Sequence, residues 1–276
     1  MPNYAILGST GNVGLNILRT LADQTKSNTP DRLQIKAYVR SKDKLLSLYP
    51  EASTNQHISI FAGALHDIDN LGRCLDGVDA AFLTVASSDN IPNTTIAQDT
   101  ARLVVEALAK LRKQQNDRYH PPILVVLSST STSEYLSRND GLSSFAHTVL
   151  WKAASYVYED LVLTEKFLRS YQAEHRGLFR MAFVKPGGLV VDAKQGHVLS
   201  TEGSKTFTSF ADCAGGMVEI AASPDPERWD GKEVSVNSAA PNGVALTLST
   251  GFTLMWFLLQ GLLFHFVPQS YKWVKG

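Results

Sequence analysis

The sequence is poor in the residue patterns that mark secreted, metal-binding or nucleic-acid-binding proteins. Two cysteines in 276 residues are too few for a disulfide framework, so we expect a reducing, cytoplasmic compartment. The N-terminus runs directly into NYAILGSTG, without a basic segment followed by a long apolar run, so we expect no secretory signal. The 26 acidic and 26 basic residues balance, which argues against nucleic-acid binding. The seven histidines are scattered without ligand spacing, and we expect no metal site.

The C-terminal segment, residues 244–276, lacks charge. No Asp, Glu, Lys or Arg lies between Glu233 and Lys272, and Val244–Val267 is about long enough to cross a bilayer. The sequence leaves two main interpretations open. One is a buried helix or a homodimer contact, and the other is a helix that makes peripheral contact with a membrane surface, with Trp256 at the boundary. A true span fits least well.

The remainder of the chain predicts an α/β fold. Short apolar runs such as ILVVL alternate with segments of helical period, for example Asn12 to Ala22, and this order is typical of parallel β-α-β units. Strands that are apolar on both faces indicate a sheet covered by helices on both sides. We therefore predict a doubly wound, Rossmann-like parallel sheet over residues 1–243. Residues from about 187 to 243 would form a small substrate-side lobe, with a helix over 206–222 and an edge strand over 232–238.

A glycine-rich turn directly follows the first predicted strand. Gly8, Gly11 and Gly14 have the spacing GxxGxxG and stand where a helix opens. Glycines let the backbone turn tightly and approach a pyrophosphate, while the helix N-terminus supplies free N–H groups. The predicted cofactor contacts are the whole run Gly8, Ser9, Thr10, Gly11, Asn12, Val13 and Gly14.

The end of the second strand, YVRSK, predicts which dinucleotide binds. A carboxylate at this position would favour NAD, whereas Arg40 stands here, followed by Ser41 and Lys44. Arginine can clamp the dianionic 2′-phosphate with two hydrogen bonds. We therefore predict NADP (NADPH) as the cofactor. The alternative is that this stretch is a solvated loop with charges of both signs.

From about Tyr4 to Ala222 the chain resembles the short-chain dehydrogenase/reductase superfamily, in its extended and atypical branches. GSTGNVG, AYVRSKDKL, FAGALHDIDNL, GVDAAFL, ILVVLSS and FVKPGG carry the resemblance, and NmrA-like and isoflavone-reductase-like proteins are the nearest look-alikes. The resemblance implies further cofactor contacts at Leu65, Thr84, Val85, Ala86, Pro186 and Gly187. The family often has Gly-Asp-Leu where this chain has Gly-Ala-Leu, so one adenine contact is missing. We expect Asp67 to cap a helix instead.

The resemblance also implies a catalytic serine or threonine after the fifth strand. Ser128, Ser129 and Thr130 follow that strand, and Ser129 and Thr130 are the candidates for holding the substrate oxygen. The alternative is that these hydroxyls only cap the strand end and bond their own backbone. In the family a Tyr then donates the proton, and a Lys one turn later lowers the pKa of that phenol.

The segment from Trp151 to Phe167, WKAASYVYEDLVLTEKF, is predicted to be the helix that carries this pair in relatives. No Tyr here is followed by Lys at the family spacing. Lys152 precedes Tyr156 by four residues, so on one continuous helix the two would share a face. The alternative makes Lys152 a surface charge, Tyr156 a half-buried aromatic, and Glu159, Asp160, Glu165 and Lys166 a solvated face.

Three functions follow from these observations. The first is an NADP-dependent oxidoreductase acting on a small hydrophobic carbonyl or alcohol, with a place in secondary metabolism. The second is a non-catalytic NADP(H)-binding redox sensor of the NmrA-like type. The third is a non-redox isomerase, cyclase or dehydratase on the same fold. The enzymatic character of most of the superfamily places the oxidoreductase first.

Overall fold

The fold is built around one large sheet. The computed structural model describes residues 1–26, 33–138, 140–191, 194–205, 207–240, 244 and 247–275. The strands are β1 Asn3–Leu7, β2 Gln34–Val39, β3 Ile58–Ala62, β4 Ala80–Leu83, β5 Ile123–Leu127, β6 Arg180–Val184, β7 Gly188–Val190, β8 His197–Ser200, β9 Phe207–Ser209 and β10 Glu233–Ser238. The helices are α1 Asn12–Lys26, α2 Lys42–Leu48, α3 Ile68–Leu75, α4 Ile96–Gln115, α5 Glu134–Ser137, α6 Ser144–Ala153, α7 Ser155–Glu174, α8 Phe210–Ala221, α9 Leu248–Phe266 and α10 Ser270–Lys275.

The eight-stranded sheet has the order β3-β2-β1-β4-β5-β6-β10-β8. All neighbouring pairs are parallel except β10 and β8, so the predicted doubly wound parallel sheet is confirmed. The strand order reverses between β1 and β4. The loops that leave these two strands therefore diverge to opposite faces and open a crevice at the carboxyl edge, where such sheets bind ligands.

Each face of the sheet is covered by helices, as the apolar strands predict. Ile17 and Leu21 of α1 and Met217 of α8 are fully buried against one face. Val104 of α4 and Leu168 of α7 are fully buried against the other. Each such side chain stabilises the fold by about 1.5–3 kcal/mol. This double burial holds the carboxyl edge of the sheet rigid.

Two sequence predictions in the second half of the chain are corrected by the structure. The strand predicted at 232–238 is not an edge strand, because β8 returns antiparallel beside β10. The helix predicted over 206–222 begins only at Phe210. Ser209 accepts a hydrogen bond from Asp212 N and so caps α8, while Phe207–Ser209 pairs with β7 as β9. The proposed boundary at residue 243 lies outside the described residues.

The apolar C-terminal segment forms α9, which packs against α6. Phe264 of α9 is fully buried, whereas Phe252 and Trp256 are each 64% exposed. The interpretation as a fully buried helix is therefore wrong. No helix in the described part of the chain combines the length and apolar composition needed to cross a bilayer.

Candidate cofactor and active site

The turn after β1 is shaped by two glycines that no other residue can replace without strain. Gly8 has φ +98°, and a Cβ there would lie 2.7 Å from Thr84 Oγ1. A Cβ on Gly14 would lie 2.3 Å from Gly8 O. Gly11 N donates to Gly8 O at 2.9 Å, which closes the turn. The backbone of this turn is thereby brought close to β4 at the point where the strand order reverses.

The first turn of α1 follows this turn and is suited to an anion. The first N–H groups of any helix lack partners within the helix, and the helix dipole places positive charge there. The first turn of α1 carries no acidic side chain that would repel a phosphate. Gly11 and Asn12 are exposed, while Ser9 and Val13 are buried and hold the turn in place. Ser9 donates to Ile6 O at 3.1 Å.

At the end of β2 the three predicted residues have different structural roles. Arg40 is exposed and directly follows the strand. Ser41 caps α2, because its hydroxyl accepts a hydrogen bond from Lys44 N at 3.2 Å. Lys44 is exposed in the first turn of α2. Two cations, Arg40 and Lys44, therefore lie around the N-terminus of α2, together with the acidic Asp43 of its first turn.

Residues predicted after β3 and β4 lie at the same edge of the sheet. Thr84 donates its hydroxyl to Leu7 O at 2.8 Å, so it locks β4 against β1. Val85 and Leu65 are half-buried, and Ala86 is exposed. The predicted role of Asp67 as a helix cap is confirmed, since its side chain accepts from Asn70 N.

The candidate catalytic hydroxyls follow β5. Thr130 is 3% exposed and donates to Lys185 O at 2.8 Å, so its hydroxyl proton is committed to the backbone. Thr130 N donates to Pro186 O at 3.0 Å, which joins this loop to the turn after β6. Ser129 is half-buried and accepts from Ser131 N at 3.3 Å, a bond that leaves its own proton available to donate. Of the two, Ser129 is the better placed to meet a substrate oxygen.

A network of buried charges, which the sequence reasoning missed, adjoins this loop. The fully buried ammonium of Lys185 lies 2.8 Å from Glu165 Oε2 and 3.3 Å from Glu233 Oε1. Ser128 donates to Glu165 Oε1 at 2.5 Å, and Ser133 donates to Glu233 Oε2 at 2.6 Å. The network joins α7, the loop after β5, the turn after β6 and β10. The sequence signal for this network was Lys185 at the end of an apolar strand. A lysine is seldom buried without partners, so its position indicates that acidic side chains lie nearby.

The pKa of Glu233 reflects this network. Burial by itself raises the pKa of the carboxyl group, but the hydrogen bond from Ser133 and the charges of Lys185 and Arg169 outweigh it. The pKa is therefore held below its ordinary value.

The helix predicted from Trp151 to Phe167 is interrupted. Ala154 has φ −126° and ψ 24° and separates α6 from α7. Lys152 lies in the last turn of α6 and Tyr156 in the first turn of α7. The prediction of one continuous helix, on which their pairing depends, is therefore wrong. Lys152 Nζ instead lies 5.3 Å from the centre of the Phe266 ring. Tyr156 is half-buried.

The break at Ala154 is held by contacts that are distant in sequence. Tyr156 N donates to Asn90 Oδ1 at 2.9 Å, and Asn90 Nδ2 donates to Gly261 O of α9 at 3.1 Å. Ser155 Oγ lies 2.8 Å from His265 Nδ1. Hydrogen bonds over such separations leave no local pattern, so neither Asn90 nor His265 could have been chosen from the sequence.

The alternative that α7 has a solvated face is wrong for two of its four residues. Asp160 is 2% exposed and Glu165 is 7% exposed, whereas Glu159 and Lys166 are exposed. Asp160 accepts from Ala97 N at 2.9 Å and so caps the N-terminus of α4. The carboxylate four residues after Tyr156 is thus bound to α4.

The predicted site residues therefore lie on loops and first helical turns at one edge of the sheet, on the last turn of α6 and on the start of α7. The close approach of Gly8, Gly14 and Thr84 leaves bare backbone and a helix N-terminus at the crevice. That combination fits the pyrophosphate of a dinucleotide, and the exposed Arg40 and Lys44 follow β2.

Comparison with known proteins agrees with this geometry. A family model described as NAD(P)H-binding matches residues 8–224. Oxidoreductase aflX of Aspergillus parasiticus is 41% identical over 273 residues, covering 99% of this chain and 95% of that protein. Oxidoreductase stcQ of Emericella nidulans is 40% identical over 274 residues, covering 99% and 94%.

Solved structures show the same fold at low identity. A short-chain dehydrogenase/reductase from Veillonella parvula superposes with a TM-score of 0.59 at 14% identity, over 90% of this chain and 99% of the other. An NADPH-bound carbonyl reductase from chicken fatty liver superposes with a TM-score of 0.58 at 14% identity, over 85% and 95%. The predicted resemblance to short-chain dehydrogenases and reductases is confirmed at the level of the fold.

Proposed function

The chain belongs to the NAD(P)H-binding family, and on that premise we propose that it is an NADP(H)-dependent oxidoreductase acting on a small hydrophobic carbonyl or alcohol in secondary metabolism. The observation that carries the proposal is the glycine turn, in which Gly8 and Gly14 hold bare backbone beside the N-terminus of α1. Its fungal relatives are named oxidoreductases, which supports redox chemistry.

The choice of NADP over NAD rests on Arg40. Its exposed side chain follows β2 directly, where an NAD-selective site would carry a carboxylate. A guanidinium can donate two parallel hydrogen bonds to the 2′-phosphate, and Lys44 adds a second cation. Ser41 supports both by capping α2.

In the proposed mechanism the chain positions the substrate oxygen and supplies a proton. The bound nicotinamide would supply or accept the hydride. Ser129 donates its hydroxyl to the substrate oxygen, while Thr130 holds the loop against the turn after β6. In the reduction direction Tyr156, half-buried in the first turn of α7, donates the proton directly or through a water molecule, and in the oxidation direction it accepts that proton. Lys152 is a secondary candidate, because the break at Ala154 separates it from Tyr156.

The first test is a calorimetric titration of the protein with NADPH and with NADH. We expect NADPH to bind more tightly, and Arg40→Ala to weaken NADPH binding by about tenfold or more, as loss of a charge-assisted pair requires. The control is Arg118→Ala, which should leave NADPH affinity unchanged. It removes an exposed arginine that follows the C-terminal end of α4. Tighter binding of NADH, or full NADPH affinity in Arg40→Ala, would contradict the assignment.

The second test follows nicotinamide absorbance while a panel of hydrophobic ketones, quinones and alcohols is supplied. We expect turnover, with Tyr156→Phe slowed by about 100-fold and Ser129→Ala slowed as well. Saturable NADPH binding without turnover on any substrate would favour the redox sensor. Substrate conversion without any change in nicotinamide absorbance would favour an isomerase, cyclase or dehydratase.

Two partners predicted for the C-terminal segment, in addition to the proposed function, remain predictions. A membrane surface and a second copy of the chain are both compatible with its apolar composition. The comparisons test neither of them.

A further inference from the structure

Helix α9 carries a continuous apolar face that the fold leaves uncovered. This face consists of side chains that are each 43% to 87% exposed, namely Leu248, Phe252, Met255, Trp256, Leu259, Leu263 and Phe266. Their spacing of three and four residues places them on one side of the helix. In the described part of the chain, 19 large hydrophobic side chains are exposed, and ten of them lie between Leu248 and Val274. The patch is therefore a local concentration and not the ordinary scatter of surface apolar residues.

The orientation of α9 is fixed by its opposite side. A Cβ on Gly261 would lie 1.9 Å from Ala153 O, so the two backbones are in contact. Asn90 bonds to Gly261 O, and Ser155 bonds to His265, while Phe264 is fully buried. Rolling the helix to bury the apolar face would break all of these contacts. The exposure of the face is thus a property of the folded chain.

Charge at this end of the molecule favours an anionic surface. The sequence after Glu233 contains no Asp or Glu, whereas it contains Lys272 and Lys275. Lys272 is exposed in α10, next to Trp273, which is 78% exposed. Cations and tryptophans beside an apolar face are typical of helices that lie at the boundary between lipid headgroups and acyl chains.

The shape of the face favours lipid over a second protein. Phe252, Trp256 and Phe266 are each 64% exposed, so most of the surface of each ring is open to solvent. A protein partner would need a matching pocket for each ring and polar groups at the rim. Fluid acyl chains adapt to exposed rings without such pockets. From these observations we propose that α9 docks the protein in the plane of an anionic membrane surface.

The test uses the full chain and two kinds of vesicle, phosphatidylcholine alone and phosphatidylcholine mixed with phosphatidylserine, in a flotation assay. We expect the protein to float with the mixed vesicles and to bind neutral ones several-fold more weakly. Phe252→Glu combined with Trp256→Glu should weaken binding by at least about tenfold, because charges would enter the acyl region. Lys272→Gln should weaken binding to the mixed vesicles by about fivefold and leave neutral vesicles unaffected.

The matched control combines Leu48→Glu with Val198→Glu, which adds the same charge at two exposed apolar positions outside α9. This variant should float like the parent. Light scattering without lipid should show that the parent and the Phe252→Glu, Trp256→Glu variant have the same mass. A parent that stays unbound to both vesicles overturns the proposal. So does a parent dimer that the α9 variant dissociates, which would assign the face to a second copy.

Discussion

The nucleotide side of the crevice, at the ends of β1 and β4, and the substrate side, at the ends of β5 and β6 with α7 and α9, are held by different kinds of contact. On the nucleotide side, the backbones of Gly8 and Gly14, which are six positions apart in sequence, lie in close contact. Thr84 also bonds to the backbone of β1. On the substrate side, side chains such as Lys185 and His265 bond to partners far away in sequence. Backbone packing within one motif therefore shapes the first side, and polar side chains from several elements shape the second.

The two sides also differ in how many other elements their residues must hold. The glycine turn needs only its own seven residues and β4 beside it. The start of α7 also caps α4 through Asp160 and contacts α9 through Ser155. Side chains at the start of α7 are thus needed for contacts with other elements, and a side chain used in this way is not available for catalysis.

The largest effect is expected on the substrate side, from Lys185→Met. The change leaves the buried Glu165 without the cation it pairs with, whereas Glu233 keeps Arg169 at 3.4 Å, and an unpaired buried charge costs about 3–5 kcal/mol. Urea unfolding measures the loss. Lys166→Met, at an exposed lysine of α7, is the control and should change the free energy of unfolding by less than about 0.5 kcal/mol. Equal stability of the two variants would show that the buried network is not important for the fold.

On the nucleotide side, Gly14→Ala should destabilise the protein by about 3 kcal/mol and weaken NADPH binding at least tenfold. The added Cβ would meet Gly8 O at 2.3 Å, and the rigid sheet edge cannot easily yield. Gly72→Ala in α3 is the control, because a Cβ there meets nothing within 4 Å and helix propensity should rise. Unchanged NADPH affinity in Gly14→Ala would contradict a cofactor role for this turn.

Gly261→Ala should cost less, about 1–2 kcal/mol, although its Cβ would lie even closer to a backbone oxygen. The reason is that α9 lies at the surface and can shift outward, whereas α1 is held against the sheet. NADPH affinity should stay within about twofold of the parent. Gly251→Ala, also in α9 but with nothing within 4 Å of its Cβ, is the control. A large loss of NADPH affinity in Gly261→Ala would mean that the two sides are coupled.

The smallest effect concerns pH. Because the pKa of Glu233 is lowered in the folded protein, its ionised form stabilises the fold above its ordinary pKa of 4.5. That stabilisation is lost as the pH falls below this value and through the lower pKa of the folded state. Glu233→Gln should therefore show a shallower loss of stability than the parent between about pH 5 and pH 3. Parallel stability curves for the two proteins would contradict the lowered pKa.

Much of the fold follows directly from the sequence. The helix predicted to be capped by Asp67 is α3, and the apolar run ILVVL is strand β5. These elements have a clear apolar period and local caps. The interior position of β10 was not predicted, because it depends on the short strand β8 returning antiparallel beside it.

By itself the sequence determined the doubly wound sheet and the glycine turn. Apolar period, glycine freedom and helix N-termini act over a few neighbouring residues, so their consequences are local. Only the tertiary structure decided the break at Ala154, the buried charges around Lys185 and the uncovered face of α9. WKAASYVY contains no Pro or Gly to end a helix. The break is instead held by partners 66 and 110 residues away, whose contribution exists only once the chain has folded.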